Sequence, residues 1–284
     1  MPDAPATSGQ SDLPRVSVVV AVYNAEDTLR DCVESLLHLD YPPGRVEFLC
    51  VDNASTDTTS SILATYGERL RILREGKRGP AAARNTGLRH ATGEIVAFAD
   101  ADCVADLAWL RYLLAPLRDR AVGAVGGRIL SRRPCNSIEA FSEHVHDHDR
   151  AINKIAPPYA ITMNWASRLD VLRTLGLFNE DLLRCSDVDL SYRLVQAGYR
   201  LAYEPRAVIY HRNERTPWGL MREGYRHGYH AVKVIRLHAT FVEGTRRKSA
   251  RGAPLPWPAP LWLGLFRLGK RIGRLHGSWA PECE

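Results

Sequence analysis

The sequence predicts an α/β protein built on a doubly wound, mostly parallel sheet. Two observations support this fold class. Continuous apolar and β-branched runs recur through the first hundred residues, as in strands that are covered on both faces. Each run is followed by a segment with helical spacing of apolar residues or with helix start and stop signals. Strand and helix therefore alternate, which is the pattern of βαβ units.

The strands of the first half are predicted where apolar runs end in polar residues, namely at 15–24, 46–55, 70–75 and 94–100. The first is followed by AEDTLRDCVESLLHL, whose leucines and valine recur at helical spacing. After the second, Thr56 or Asp57 can cap a helix that Gly67 ends. A further helix is predicted from Pro80 to His90, with proline at an early position.

The second half is less regular, and its elements are predicted from shorter signals. These are a helix over 107–117, a strand over 122–130, a polar and helical stretch over 136–150, helices over 168–175 and 187–196, and two short strands around Pro205 in 199–211. We divide the chain into a lead-in (1–14), a first half (15–103) and a second half (104–215) of one domain, and a basic helical tail (216–284).

Composition excludes several classes of protein. The 284 residues are 45% hydrophobic and 25% charged, which is ordinary for a globular protein with a large core. The six cysteines are scattered without a C-x-x-C pair, so we expect reduced thiols and a cytoplasmic protein. The first residues lack the basic start and apolar run of a signal peptide. No stretch approaches the roughly 18 apolar residues of a spanning helix.

The positive charge is concentrated near the C-terminus. Residues 244–276 contain eight arginines and lysines and no acidic residue. Within them, PLWLGLFRLGKRIGRLHG predicts a basic amphipathic helix of the kind that lies on a membrane surface, and residues 221–238 predict a second. A helix packed on the catalytic domain with its charges in water is the alternative. Nucleic acid is disfavoured as a partner because no recognised binding motif accompanies the charge.

A run of histidines raises a separate metal hypothesis. In EHVHDHD, residues 143–149, His144 and His148 are four apart and would share a helix face. The sequence places no third ligand, so a solvated surface bordering the acceptor is the preferred interpretation.

Polar residues cluster where the predicted parallel strands end. They are Tyr23-Asn24, Asp52-Asn53, Arg84 on the following helix, and Asp100-Ala101-Asp102. Ligands of open parallel sheets bind at this edge. No G-x-G-x-x-G or P-loop motif occurs in a βα turn, which disfavours dehydrogenases and P-loop enzymes.

These residue types suit a nucleoside diphosphate. Asp52 can accept hydrogen bonds from a base or a ribose hydroxyl. Asp100 and Asp102 can hold a divalent cation that bridges a diphosphate, and Arg84 can offset phosphate charge. An aspartate in a loop is more often a cap or turn former, so the argument depends on the ordered set and not on any single residue.

The ordered motifs resemble glycosyltransferase family 2 and its nucleotide-diphospho-sugar-binding GT-A fold. They are VSVVVAVYNAEDTLRDCVESLL, VEFLCVDNASTDTT, GPAAARNTGL, GEIVAFADADC and LGLFNEDLLRCSDVDLSYRLVQAGYRLAYEPRAVIYH, and they cover residues 15–211. The resemblance implies an inverting single displacement in which a sugar moves from a nucleotide donor to an acceptor hydroxyl. It implies that 15–103 is the nucleotide-sugar-binding half and 104–215 the acceptor-binding and catalytic half of the same domain.

The resemblance also implies roles for individual residues. Ala21, Tyr23 and Asp52 would line the base and ribose pocket, Arg84 would lie near the diphosphate, and Asp100 would face the ribose or sugar. Asp102 would ligate Mn²⁺ or Mg²⁺, with His211 as a further metal ligand, and Asp187 would be the general base. The acceptor or sugar would contact Trp165 and Asp189, with core packing as the alternative for Trp165.

Two positions depart from the family pattern. Relatives usually carry a glutamate where this chain has Ser186, which leaves open whether Asp187 or nearby Asp189 transfers the proton. Threonine is common in relatives at Ala21.

The resulting expectation is a cytoplasmic enzyme, held peripherally at the membrane, that uses a UDP-linked sugar. Its acceptor would be a sugar or a lipid-linked molecule, in the synthesis of cell-surface polysaccharide or glycolipid. One alternative is a nucleotidyltransferase, which would need a glycine- and lysine-rich loop where YNAEDT stands. The other is a catalytically silent module that binds nucleotide sugar or membrane, for which Ser186 is the hint.

Overall fold

The computed structural model describes residues 13–245 and 259–279, apart from the side chains of 259, 260 and 279. The predicted lead-in therefore lies almost entirely outside the described residues. The strands are β1 Val16–Val22, β2 Val46–Asp52, β3 Arg71–Arg74, β4 Ile95–Asp100, β5 Cys103–Ala105, β6 Val122–Ser131, β7 Asn164–Arg168 and β8 Arg200–His211.

The helices lie between and after these strands. They are α1 Leu29–Leu37, α2 Thr59–Ala64, α3 Pro80–His90, α4 Trp109–Leu114, α5 Ser137–Val145, α6 His148–Asn153, α7 Leu169–Thr174, α8 Ser186–Gln196, α9 Pro217–Leu237, α10 Ala239–Thr245 and α11 Ala259–Trp279. The alternation of strand and helix that the first half predicts is confirmed. The helix predicted from Pro80 to His90 has those bounds in the structure.

The described strands form one eight-stranded sheet in the order β3-β2-β1-β4-β7-β6-β8-β5. The pairings β1–β2, β1–β4, β2–β3 and β6–β8 are parallel. In contrast, β7 runs antiparallel to β4 and β6, and β5 runs antiparallel to β8. The mostly parallel α/β sheet is confirmed, with antiparallel pairs in the second half.

The second half differs from its prediction in detail. The strands β5 and β7 were not predicted, and β8 is one strand where two were expected. Its register with β6 shifts between Glu204 and Val208, so Pro205 lies in a bulge, where the missing N–H interrupts no ladder hydrogen bond. Arg168 ends β7 instead of beginning a helix.

Apolar side chains cover both faces of the sheet. On β1, Val18 and Val20 contribute to one buried cluster, and Val19 between them contributes to a second. Successive side chains of a strand point to opposite faces, so the continuous apolar run of β1 is explained by burial on both sides.

The predicted basic tail contains a helical hairpin, which we define as α9 and α11 packed against each other. Close approach is possible because glycines face the partner backbone. A Cβ atom at Gly228 would lie 2.0 Å from the Lys270 carbonyl oxygen, and one at Gly273 would lie 2.1 Å from that of Tyr225. No helix among the described residues has the length and apolar character needed to span a membrane.

Candidate functional site

The candidate site lies at the carboxyl ends of β1, β2 and β4. Asp52 and Asp100 are the last residues of their strands, and Asp102 is the second residue after the end of β4. The register places Ala21 between Val51 of β2 and Asp100 of β4. The fold therefore brings these sequence-predicted residues to one edge of the sheet, as expected for parallel strands.

Tyr23 presents an aromatic surface at this edge. Its side chain is 44% exposed, and the Arg78 guanidinium lies over the ring, 5.0 Å from its centroid, while donating a hydrogen bond to the tyrosine oxygen. Asn53 holds the segment that carries Arg78, because its side chain donates to the Lys77 carbonyl and accepts from the Gly79 N–H. Arg78 was not predicted as a site residue, since a single exposed arginine before a helix carries no pattern.

Asp52 is engaged by its own loop. It is 6% exposed and accepts hydrogen bonds from the Ser60 hydroxyl at 2.5 Å and the Ser55 N–H at 3.1 Å. Burial acts to raise its pKa, but these hydrogen bonds outweigh burial and hold the pKa below its usual value. Asp52 is therefore a carboxylate that shapes the loop, and its remaining lone pairs are what it can offer a ligand.

Arg84 and Asp100 form an ion pair. The guanidinium Nη2 lies 2.7 Å from the Asp100 carboxylate, with the arginine side chain 8% exposed and the aspartate 29% exposed. The two residues were predicted to bind different parts of a nucleotide sugar. The ion pair fixes both side chains against each other, with the aspartate on the solvent side.

Asp102 and His211 form a second pair. Antiparallel pairing of β5 with β8 sets Cys103 opposite His211, and the Asp102 Oδ2 lies 3.3 Å from the His211 Nε2. The other ring nitrogen of His211, Nδ1, donates to the Asn213 amide oxygen at 2.6 Å, which turns Nε2 towards Asp102. Burial lowers the pKa of His211, but the Asp102 charge outweighs it and raises the pKa to about 9.

This second pair fits a divalent cation. Two oxygen or nitrogen ligands in adjacent positions around an ion, with bonds near 2.1 Å, lie about 3.0 Å apart, close to the observed 3.3 Å. The Asp102 side chain is 42% exposed, which leaves room for a ligand that shares the ion. The carboxylate is a ligand that both Mg²⁺ and Mn²⁺ accept, and the imidazole would add a nitrogen ligand beside it.

Asp187 is the second residue of α8 and is partly exposed. Burial raises its pKa above the usual value, against the opposing effects of the Arg84 charge and the N–H groups of Val188 and Thr162. Cys185, just before α8, has φ +62°, a left-handed conformation that a cysteine adopts at a free-energy cost. A partly buried carboxyl group with raised proton affinity is suited to act as a base.

Trp165 is not available to a sugar, which corrects its expected contact. Its side chain is 0% exposed and packs against the rings of Phe98 and Phe178, with centroid distances of 5.8 and 5.7 Å. The strand β7, which the sequence analysis missed, directs this residue into the core.

Asp189 is also committed to the interior, which corrects its expected acceptor contact. It is 3% exposed and pairs with Arg193 at 2.7 Å and with the His238 Nε2 at 2.9 Å. These contacts tie α8 to the end of α9, so Asp187 is the accessible carboxylate at this turn of α8.

The expected solvated histidine surface is wrong for His146 and His148, which are both buried. His148 Nδ1 donates to the Gly127 carbonyl and its Nε2 accepts from the Ile161 N–H, so neither nitrogen is free for a metal. Burial lowers the pKa of His148 to about 4. His146 instead contacts the His211 ring, with centroids 5.2 Å apart, and faces Glu223 of α9.

Comparison with known proteins identifies the family. A model described as glycosyl transferase family 2 matches residues 17–176, more than half of the chain. The glycosyltransferase AglE of Haloferax volcanii is 31% identical over 233 residues, which make up 80% of this chain and 76% of the archaeal protein. The chain belongs to glycosyltransferase family 2.

The length of relatives of this family 2 glycosyltransferase varies. The pre-mycofactocin glycosyltransferase of Mycobacterium tuberculosis is 32% identical over 232 residues. The match covers 78% of this chain but 48% of the mycobacterial protein, so this glycosyltransferase spans about half the length of that relative.

Solved structures confirm that this family 2 glycosyltransferase has the GT-A fold. The mannosyltransferase PcManGT from Pyrobaculum calidifontis, in complex with GDP-Man and Mn²⁺, is similar with a TM-score of 0.66 and 26% identity, over 93% of this chain and 73% of that one. Staphylococcus aureus TarS in complex with UDP-GlcNAc has a TM-score of 0.61 and 18% identity, over 94% of this chain and 73% of that chain. At 18% identity, the similarity to TarS shows the fold alone.

Proposed function

We propose that this glycosyltransferase moves a sugar, with inversion, from a nucleotide-diphospho-sugar to an acceptor hydroxyl, with Mn²⁺ or Mg²⁺ bound by Asp102 and His211. The observation that carries the proposal is the 3.3 Å separation of these two side chains at the carboxyl edge of the sheet. PcManGT, similar along nearly the whole chain, is in complex with a nucleotide sugar and Mn²⁺. The cation would supply positive charge against the departing diphosphate.

The donor would lie across the ends of β1, β2 and β4. The exposed ring of Tyr23 offers a stacking surface for the base, and Arg78 beside it adds positive charge. Asp52 and Ala21 would border the base and ribose. Asp100, held by Arg84, would meet the ribose or the sugar, because a fixed carboxylate accepts hydroxyl hydrogen bonds without losing side-chain entropy.

Asp187 would be the general base. As the acceptor oxygen attacks the anomeric carbon, its proton would pass to the Asp187 carboxylate and the bond to the nucleoside diphosphate would break. The raised pKa of Asp187 favours proton uptake, and its partial exposure leaves a path for an acceptor.

The acceptor would be a sugar or a lipid-linked molecule at a membrane surface, in cell-surface polysaccharide or glycolipid synthesis on the cytoplasmic side. The support is the outer face of α11, where Leu268, Ile272 and Leu275 are exposed. Arg267 and Arg271 border this stripe and are exposed as well. An exposed apolar stripe flanked by arginines fits an anionic lipid surface.

The experiment that tests the enzymatic proposal is transfer or donor hydrolysis with a panel of UDP- and GDP-linked sugars, with and without Mn²⁺. The panel decides between the uridine donor expected from sequence and the guanosine donor that PcManGT binds. We expect Mn²⁺-dependent release of nucleoside diphosphate, lost in Asp102→Ala and retained in Asp40→Ala, where an exposed carboxylate before β2 is removed.

Metal-independent turnover, or full activity in Asp102→Ala, would refute the cation site. Donor binding without hydrolysis or transfer by any tested acceptor would instead favour the catalytically silent module.

A further inference from the structure

A second cluster of metal-ligand side chains borders the Asp102–His211 pair, since the His146 ring contacts that of His211. It consists of His146, at the end of α5, with Glu223 and His227 of α9, and one ligand atom from each lies within 4.8 Å of the others. Glu223 and His227 are four residues apart, so they share a helix face. The His146 Nε2 is 3.3 Å and the His227 Nε2 is 3.7 Å from the same Glu223 oxygen.

We propose that His146, Glu223 and His227 bind a Zn²⁺ ion, in a site distinct from that of the donor cation. Two imidazoles and one carboxylate are ligands that zinc accepts in proteins, usually with four-coordinate geometry. Three protein ligands leave the fourth position to water. This inference goes beyond the proposed transfer reaction and does not depend on it.

The distances favour a small ion with short bonds. Zinc bonds of about 2.0–2.1 Å place tetrahedral ligand atoms about 3.3–3.4 Å from one another. The separation between His146 Nε2 and the Glu223 oxygen, 3.3 Å, already equals this value. The separation between His227 Nε2 and the same oxygen, 3.7 Å, exceeds it by a few tenths of an ångström. The His227 side chain is 35% exposed, so it can move inward when a cation is bound, while buried His146 stays in place.

The surroundings of the cluster favour a bound cation. Glu223 is largely buried, with its side chain 15% exposed, and a buried carboxylate requires compensation by positive charge or hydrogen bonds. The Nδ1 of His146 is buried with no hydrogen-bond partner among the described residues, so the polar contact of this ring is through Nε2, towards Glu223. The Phe266 ring, with its centroid 5.9 Å from that of His227, covers the cluster on the α11 side.

A zinc ion here would act as a positioning element. It would join the end of α5 to α9 and so hold the helical hairpin against the sheet next to His211, whose ring His146 contacts. It would also add positive charge near Asp187, because a positive charge at His227 lowers the pKa of the Asp187 carboxyl group.

The test uses the full chain after removal of metals with a chelator, titrated with Zn²⁺ by calorimetry and with Co²⁺ by visible absorption. Cobalt in a four-coordinate site gives intense ligand-field bands, whereas a six-coordinate site gives weak ones. We expect one zinc per chain and intense cobalt bands that persist in Asp102→Ala. Glu223→Gln and His227→Ala should each weaken Zn²⁺ binding by more than about 100-fold, since loss of an outer-shell contact alone weakens binding about 10–100-fold.

The matched control is His230→Ala, which removes a partly exposed histidine one turn further along α9. The His230→Ala variant should retain the calorimetric Zn²⁺ titration and the intense Co²⁺ bands of the wild type. Circular dichroism of the metal-free variants establishes that the fold is intact, and His227→Ala remains informative if Glu223→Gln unfolds, because His227 is the most exposed ligand. Absence of zinc binding by the wild type would overturn the proposal. Zinc binding that persists in both Glu223→Gln and His227→Ala, or that is lost in Asp102→Ala, would also overturn it.

Discussion

The substitution Gly228→Ala tests the packing of the helical hairpin that carries Glu223 and His227. The added Cβ would lie 2.0 Å from the Lys270 carbonyl oxygen, 2.8 Å from its carbonyl carbon and 2.9 Å from its Cα. All three atoms belong to the backbone and cannot rotate away, so α9 and α11 must separate locally by about 1 Å. Such overpacking typically destabilises a protein by about 1–3 kcal/mol.

The net effect includes helix propensity. Alanine is favoured over glycine inside a helix by about 1 kcal/mol, which offsets part of the clash. Separation of α9 from α11 would also weaken the neighbouring close contact of Gly224 with the Phe266 backbone. A Cβ atom at Gly224 would lie 2.3 Å from the Phe266 carbonyl oxygen. We therefore expect a loss of about 1–2 kcal/mol, which for a protein of this size lowers the Tm by roughly 2–8 °C.

The assay is thermal unfolding followed by circular dichroism, and Gly264→Ala is the matched control. Gly264 lies on α11 with no described atom within 4 Å of an added Cβ. The same substitution should there raise the Tm by about 2–4 °C through propensity alone. Equal Tm shifts in the two variants, or a higher Tm for Gly228→Ala than for the wild type, would refute the close backbone packing.

Three further predictions concern chemistry, pH and membrane binding. Asp187→Asn should lower the transfer rate by about 10²–10⁴-fold, and the acidic limb of the wild-type pH–rate profile should lie above the usual aspartate range because burial raises the Asp187 pKa. His148, with its folded-state pKa lowered to about 4, stabilises the fold fully above pH 6.5. As the pH falls from 6.5 to 4 the unfolded chain binds the proton first, so urea titrations should show a loss of roughly 3 kcal/mol that His148→Gln lacks. Replacing Arg267, Arg271 and Arg274 by alanine should weaken binding to anionic vesicles about 100-fold, at about 1 kcal/mol per arginine.

Controls separate each mechanism from a general effect. Asp181→Asn removes an exposed carboxylate before α8 and should leave transfer unchanged, whereas full activity in Asp187→Asn would exclude that residue as the base. An acid-stability curve that is the same in wild type and His148→Gln would contradict the buried neutral histidine. Alanine at the exposed Arg69, Arg118 and Arg120 should not affect vesicle binding, and equal binding by both triple variants would exclude α11 as the lipid contact.

The grouping of acidic residues at one edge of the sheet could be predicted from local sequence. Asp52, Asp100 and Asp102 each follow an apolar strand, and the carboxyl ends of parallel strands meet at one edge of a sheet. The prediction needed only the strand pattern and the polar residue after it. The ion pair of Arg84 with Asp100 was not predicted, because which helix side chain reaches which strand end depends on how α3 packs on the sheet.

The residues of the second half show where sequence patterns are insufficient. The NWASR segment carries no alternation that marks a strand, so the burial of Trp165 was decided by its place between β4 and β6. Asp187 and Asp189 differ in sequence only by position, yet the contacts of Asp189 with Arg193 and His238 give it a structural role.

The sequence by itself determined the fold class, the edge of the sheet where the candidate site lies and the helical, basic character of the tail. Each of these depends on local periodicity or on residues close together in the chain. Only the tertiary structure decided which side chains meet. Asp102 contacts His211 through β5–β8 pairing, and His146 reaches Glu223 because α9 packs beside the end of α5. Contacts between residues so far apart in sequence leave no local pattern, since packing and not chain proximity brings them together.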